Sequence, residues 1–138
     1  MATGTKFQQF CEDVAHGVHN LGSDQLVVAL MASAPSASLD AVLADITEIS
    51  YTNLSSRNIT TASSAETGGV YKLTLTDLVL TASGAVATFR YVVVYNDTPT
   101  SPADPLIGFY DHGSNVTLAS GDTFTVDFDG TNGFLTLT

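Results

Sequence analysis

The side chains of this sequence that are equipped for chemistry are few and scattered. His16 and His19 stand three apart at the end of a helical pattern, and His112 lies far along the chain in a YDHG turn. An H-x-x-H pair sets two imidazoles on one helical face, which is the beginning of a metal site. It has neither the i, i+4 spacing nor the intervening Glu of the H-E-x-x-H zinc motif, so both are read as solvated groups at a helix C-terminus, where the dipole favours them. Asp122, Asp127 and Asp129 cluster with Asn132 in GDTFTVDFDGTNG. The run looks like the start of a calcium loop, yet it has Asn132 where such a loop needs Gly, and no bidentate Glu follows. It is read as a turn. Two of these acids would also suit a glycosidase, but alternate strand positions need a cleft that the sequence does not reveal. Cys11 is read as a small buried hydrophobe. Tyr95, Phe109 and Tyr110 fit either an aromatic sugar-binding platform or ordinary buried strand aromatics. There is no G-x-S-x-G elbow, phosphate loop or Cys/His pair. No catalytic, cofactor-binding or metal-ligating residue is assigned, and the chain is not expected to be an enzyme.

These residues must be positioned by the elements around them, and the stretch Ala85 to Asp97, AVATFRYVVVYND, dominates those elements. Period two puts Phe89, Tyr91, Val93 and Tyr95 on one face, while Val92 and Val94 add apolar surface to the other. Such a strand needs cover on both sides and belongs in the centre of a sheet. Upstream, Phe7, Phe10, Cys11, Val14 and Val18 recur at helical spacing, which predicts an amphipathic helix over 6–18 ended near Gly17. Residues 1–5 are expected to form a flexible arm. Gln25 to Met31 reads as a buried strand and Leu39 to Ile46 as one or two short helical turns, unless Ile46 and Ile49 begin an irregular strand. Tyr51 to Ser64 reads as a surface loop with a short strand near Asn58 to Thr61. Val70 to Thr76 alternates as a half-exposed strand, Leu78 to Ala82 is expected to form a hairpin with the central strand, and Leu106 to Tyr110 follows. Asp111 to Ser114 is expected to turn the chain before a short strand at Val116 to Leu118. Phe124 to Phe128 and Phe134 to Leu137 flank the DGTNG turn as a C-terminal hairpin. The loop between, Asn96 to Pro105, holds three of the four prolines and is stiff. The expected fold is mainly β: one antiparallel sandwich or barrel-like domain over 1–138, its β part spanning 23–138 after one N-terminal amphipathic helix.

Composition narrows the function classes. The 138 residues are 44% hydrophobic and only 13% charged, with a formal net charge of −10. This composition excludes ordinary disorder, and at this length one domain buries roughly two-thirds of its unfolded surface. Lys plus Arg number four, too few for the counterion release that drives nucleic-acid binding. One cysteine permits no intrachain disulfide. No signal-peptide pattern or membrane-length apolar run is present, so a soluble protein made in the cytoplasm is expected. Asn-x-Ser/Thr sequons begin at Asn53, Asn58, Asn96 and Asn115, as expected by chance in a Ser/Thr-rich chain.

Longer phrases say more. HNLGSDQLVVAL, LADITEIS, ETGGVYKLTLTD, FRYVVVYND, DPLIGFYDHGSNVTLASGDTFTVDFD and NGFLTLT resemble a family of small structural proteins of tailed bacteriophages and prophages. The likeness runs from about Phe7 to the end and consists of fold-determining phrases, not a catalytic motif. Several such proteins are similar to capsid decoration, or cement, proteins. The resemblance implies a virion protein without enzymatic activity or cofactor, bound outside the head to the major capsid protein and most simply a homotrimer. A tail, neck or fibre-associated virion protein is the alternative, and a carbohydrate-binding β-sandwich is a further one. The candidate contacts for a bridging role are the N-terminal Met1, Ala2, Thr3, Gly4, Thr5 and Lys6, and Thr98, Pro99, Thr100, Pro102 and Pro105 of the proline loop.

Overall fold

The computed structural model describes residues 4–138; Met1, Ala2 and Thr3 of the expected arm lie outside the described residues. In chain order the elements are β1 (Gly4–Lys6), α1 (Gln9–Ala15), β2 (Leu26–Met31), a 3-10 turn (Leu43–Asp45), β3 (Asn58–Ile59), β4 (Thr61–Thr67), β5 (Val70–Leu75), β6 (Leu78–Thr81), β7 (Phe89–Asn96), β8 (Leu106–Val116), β9 (Thr123–Val126) and β10 (Leu135–Leu137). Over the described residues the fold is mainly β with antiparallel sheets and one α-helix, as the sequence predicts. A five-stranded sheet runs β1-β8-β7-β2-β3, and two smaller sheets, β10-β5-β4 and β6-β9, accompany it.

The apolar strand of the sequence is the middle of the large sheet, with β2 on one side and β8 on the other. It is covered on both faces. Val92 and Val94 join Val28, Leu30 and Ile107 in a core shared with Leu73 and Leu75 of β5, Leu80 of β6 and Val126 of β9, so the small sheets form the second layer of a sandwich. Val93 and Tyr95 point the other way, into a smaller core with Phe7, Val27, Ala29, Met31 and Leu106, which Leu43 and Ile46 help to close. Phe89 corrects the expected phase: it belongs to the sandwich core, not with Tyr91, Val93 and Tyr95. The ladder slips there, Phe89 pairing with Val116 but Tyr91 with Asp111, so that His112 to Asn115 bulge opposite Arg90. Arg90 spans the bulge with two bonds to the Asp111 carboxylate, 2.8 and 3.0 Å. The turn expected at Asp111 to Ser114 is thus an excursion inside one long strand.

The N-terminal region also differs from expectation. Gly4 to Lys6 pair with Tyr110 to Gly108 as an edge strand, so this part of the expected arm is ordered and the sheet begins before residue 23. The helix is correspondingly shorter than 6–18, because Phe7 is recruited to the smaller core while Phe10 and Val14 face the sandwich core. Gly17 closes it as predicted, although the last helical residue is Ala15 and not Val18. Gly17 takes a φ of +72°, Val18 N–H donates to Asp13 O at 2.9 Å and Gly17 N–H to Val14 O at 3.2 Å, a Schellman closure that favours glycine.

Neither expected hairpin forms. β6 pairs with β9 instead of β7, and β10 pairs with β5 instead of β9. The loop assigned to Tyr51 to Ser64 also contains the start of a full strand, since Thr61 to Thr67 pair with β5. The rest of that loop, with Ile49 just before it, covers the edge of β2 beyond the two-residue β3. Ile49 N–H donates to Leu30 O at 3.0 Å, Leu30 N–H donates to the Tyr51 hydroxyl at 2.9 Å, and Arg57 Nη1 donates to Val28 O at 2.6 Å.

Candidate functional site

The proline loop leaves β7 at Asn96 and enters β8 at Leu106. Its root is closed by Asn96 N–H donating to Pro105 O at 3.0 Å, and Asp97 N–H ties it to Gln25 O at 2.9 Å. Thr98 Oγ1 accepts from Gln25 N–H at 2.9 Å. Leu43 N–H bonds Asp104 O and Leu106 N–H bonds Ala41 O, both at 2.9 Å, so the segment around the 3-10 turn buttresses the far side. On this base Thr98, Thr100, Ser101, Pro102 and Ala103 are exposed and Pro99 is half-buried. Pro105 is buried and forms a bridge with Val42, which corrects its place among the candidate contacts. Within the loop, burial first and the neighbouring Asp97 second push the Asp104 carboxyl above its ordinary pKa.

Asn96 is the buried anchor of this arrangement. Its side chain is fully enclosed, and every polar atom of the amide is used. Oδ1 accepts from Thr98 N–H at 3.1 Å, while Nδ2 donates to Asp24 Oδ2 at 2.7 Å and lies 3.0 Å from His19 Nδ1. The sequence gives no sign of the partners of this Asn, which are 72 and 77 positions away.

The remaining candidates are dispersed. His16 is exposed and 3.6 Å from Glu12, whereas His19 is half-buried against Phe10, ring centroids 5.0 Å apart, which corrects its reading as a solvated terminus. His112 is exposed on the β8 bulge beside Phe124. Among the described residues, no group of three or more His, Cys, Asp or Glu side chains is placed to hold a metal. Asp129 closes its own turn, accepting from Thr131 N–H at 2.9 Å and from Asn132 N–H and Nδ2 at 2.8 Å. The Asn132 and Thr131 bonds hold its carboxyl below the ordinary range. Cys11 is exposed, not buried, because the shortened helix turns it outward, and Lys6 Nζ donates to its Sγ at 2.9 Å. The aromatic trio separates: Tyr95 lies in the smaller core and Phe109 packs on it, whereas Tyr110 packs on the sandwich core with Phe128 and Phe134. Burial and the charge of Asp129 push its hydroxyl up to about 12. Three residues on opposite faces make no sugar platform.

A groove of about 550 Å3 lies between β1, α1 and β10, walled by Phe10, Val14, Tyr110, Phe134 and Leu135 and by the Gly4–Lys6 edge strand. Sequence reasoning missed it because it joins the two ends of the chain. No described helix is long and apolar enough to cross a membrane. No protein-family model, curated protein or solved structure matches this chain.

Proposed function

We propose that this chain is a structural protein of a tailed-phage virion, most specifically a capsid decoration protein that binds the outside of the head and stabilises contacts between major capsid subunits. The observation that carries it is the run of phrases from HNLGSDQLVVAL to NGFLTLT that resemble small phage structural proteins. The geometry supports such a role by what it offers a neighbour. A five-stranded sheet packed on both faces is a rigid base, and from it the exposed tip Thr98 to Ala103 and the edge strand Gly4–Lys6 are presented for contact. A net charge of −10 disfavours contact with packaged DNA and suits an outer surface. In this role the protein acts as a homotrimer at local threefold positions and without catalysis, each weak contact multiplied over many copies.

Cryo-electron microscopy of the intact particle tests the proposal. Density for this chain on the outer shell, with the proline loop or the N-terminal strand against capsid subunits, is expected. Density confined to the tail or neck would replace the head assignment with that of a tail component, and absence from purified particles would overturn both.

A further inference from the structure

The contacts at the root of the proline loop fix the protonation state of a histidine. Asn96 Nδ2 has two hydrogens: one goes to Asp24 Oδ2 at 2.7 Å, the other points to His19 Nδ1 at 3.0 Å. The amide cannot be turned over without loss, since Oδ1 holds Thr98 N–H at 3.1 Å and a carboxylate cannot donate to an oxygen in place of Nδ2. His19 Nδ1 must therefore accept, and the ring is neutral with its proton on Nε2. A second proton at Nδ1 would face a donor. Nearby, Asp13 is 5% exposed, and its Oδ2, like His19 Nε2, has no hydrogen-bond partner.

We propose that His19 is a proton-operated latch: neutral, it completes the Asn96 hydrogen bonds that hold the base of the loop Asn96 to Pro105, and protonated, it leaves Asn96 for the unpartnered Oδ2 of Asp13, whose Oδ1 already accepts from Gln9 Nε2 at 3.3 Å, and loosens that base. The charged and titratable groups around the ring are Asp13 from α1, Asp24 from the turn before β2, and Tyr71 from β5 across the cleft that His19 lines. That cleft is open, so protons have access. Burial lowers the pKa of His19 from the ordinary 6.5 by more than Asp13 and Asp24 raise it. A lowered histidine pKa means that the latched form is fully favoured above about pH 6.5, and that this preference is lost as pH falls through that value. Asp104 in the loop acts with the opposite sign, since protonating it relieves its burial beside Asp97.

Hydrogen exchange followed by NMR between pH 8 and 5.5 tests the latch, with rates corrected for intrinsic pH dependence. The amides of Asn96, Asp97 and Thr98 are expected to open about tenfold more per pH unit below about 6.5, until the latched form itself titrates, while Ala29 in the centre of β2 stays unchanged. The imidazole nitrogen shifts of His19 should report protonated Nε2 and bare Nδ1 at pH 8. His19→Gln offers Asn96 a permanent acceptor and should abolish the dependence, whereas His16→Gln at the exposed histidine should keep it. Exchange at Thr98 that is flat with pH in the wild-type protein, or a proton on Nδ1 at pH 8, overturns the inference. Both readouts come from the unmodified chain, so misfolding of a variant leaves them decisive.

Discussion

Tyr51 shows how one side chain takes the place of a strand. Its hydroxyl accepts from Leu30 N–H at 2.9 Å and donates to Glu48 Oε1 at 2.6 Å, while the Arg57 guanidinium sits 3.6 Å over its ring. Burial and the Glu48 bond push the hydroxyl well above its ordinary pKa, so it remains a neutral donor and acceptor at any physiological pH. Tyr51→Phe leaves a backbone N–H of the central sheet without a partner and should cost about 1–3 kcal/mol. Urea denaturation monitored by circular dichroism measures this directly, and a loss under about 0.5 kcal/mol would mean that water replaces the hydroxyl without penalty. Residue chemistry of this kind was only partly legible in the sequence. The Asp129 turn is legible because its partners are two and three residues away. Cys11 was read as buried because the helical stripe ran through it, but that stripe is divided between two cores, Phe7 in one and Phe10 in the other.

At the scale of elements, strands were legible and their partners were not. Alternation locates β5, β7 and β9, and a continuous apolar run locates β2, because each must hide one face or two, a local consequence of the pleat. Pairing is decided by what lies across the sandwich. β9 and β10 follow one another around the Asp129 turn, yet each finds its partner far back in the chain, Val126 opposite Leu78 and Leu135 opposite Leu73. The edge strand β1 was likewise hidden in a segment of small polar residues, since its stability comes from the backbone of β8 and not from its own side chains. Gly108 makes that approach possible: a Cβ there would lie 3.1 Å from Thr5 O. Gly108→Val should push β1 away from β8, with a stability loss of about 1–3 kcal/mol and faster exchange at the Thr5 and Phe7 amides, which face β8 in the ladder. Unchanged protection at these amides would show that the two strands can separate slightly without losing register.

For the whole molecule, cores on both faces of the large sheet separate architecture from contact. Substitutions on either face of β7 act through folding, whereas the exposed loop tip can change without disturbing either core, since the root bonds of Asn96, Asp97 and Thr98 lie behind it. Thr100 is the clearest position at which to use that separation, exposed and involved only in a short backbone bridge to Ala103. Thr100→Arg should leave stability within about 0.5 kcal/mol of wild type. If the tip seats on the capsid as proposed, an added long cation in a closely packed contact should lower occupancy on isolated heads at least about tenfold. The same change at Thr67, at the end of β4 and likewise exposed, serves as the control for altered net charge. Equal occupancy for wild type and both variants would move the contact surface away from the proline loop and leave the N-terminal edge strand as the place where this domain meets its neighbours.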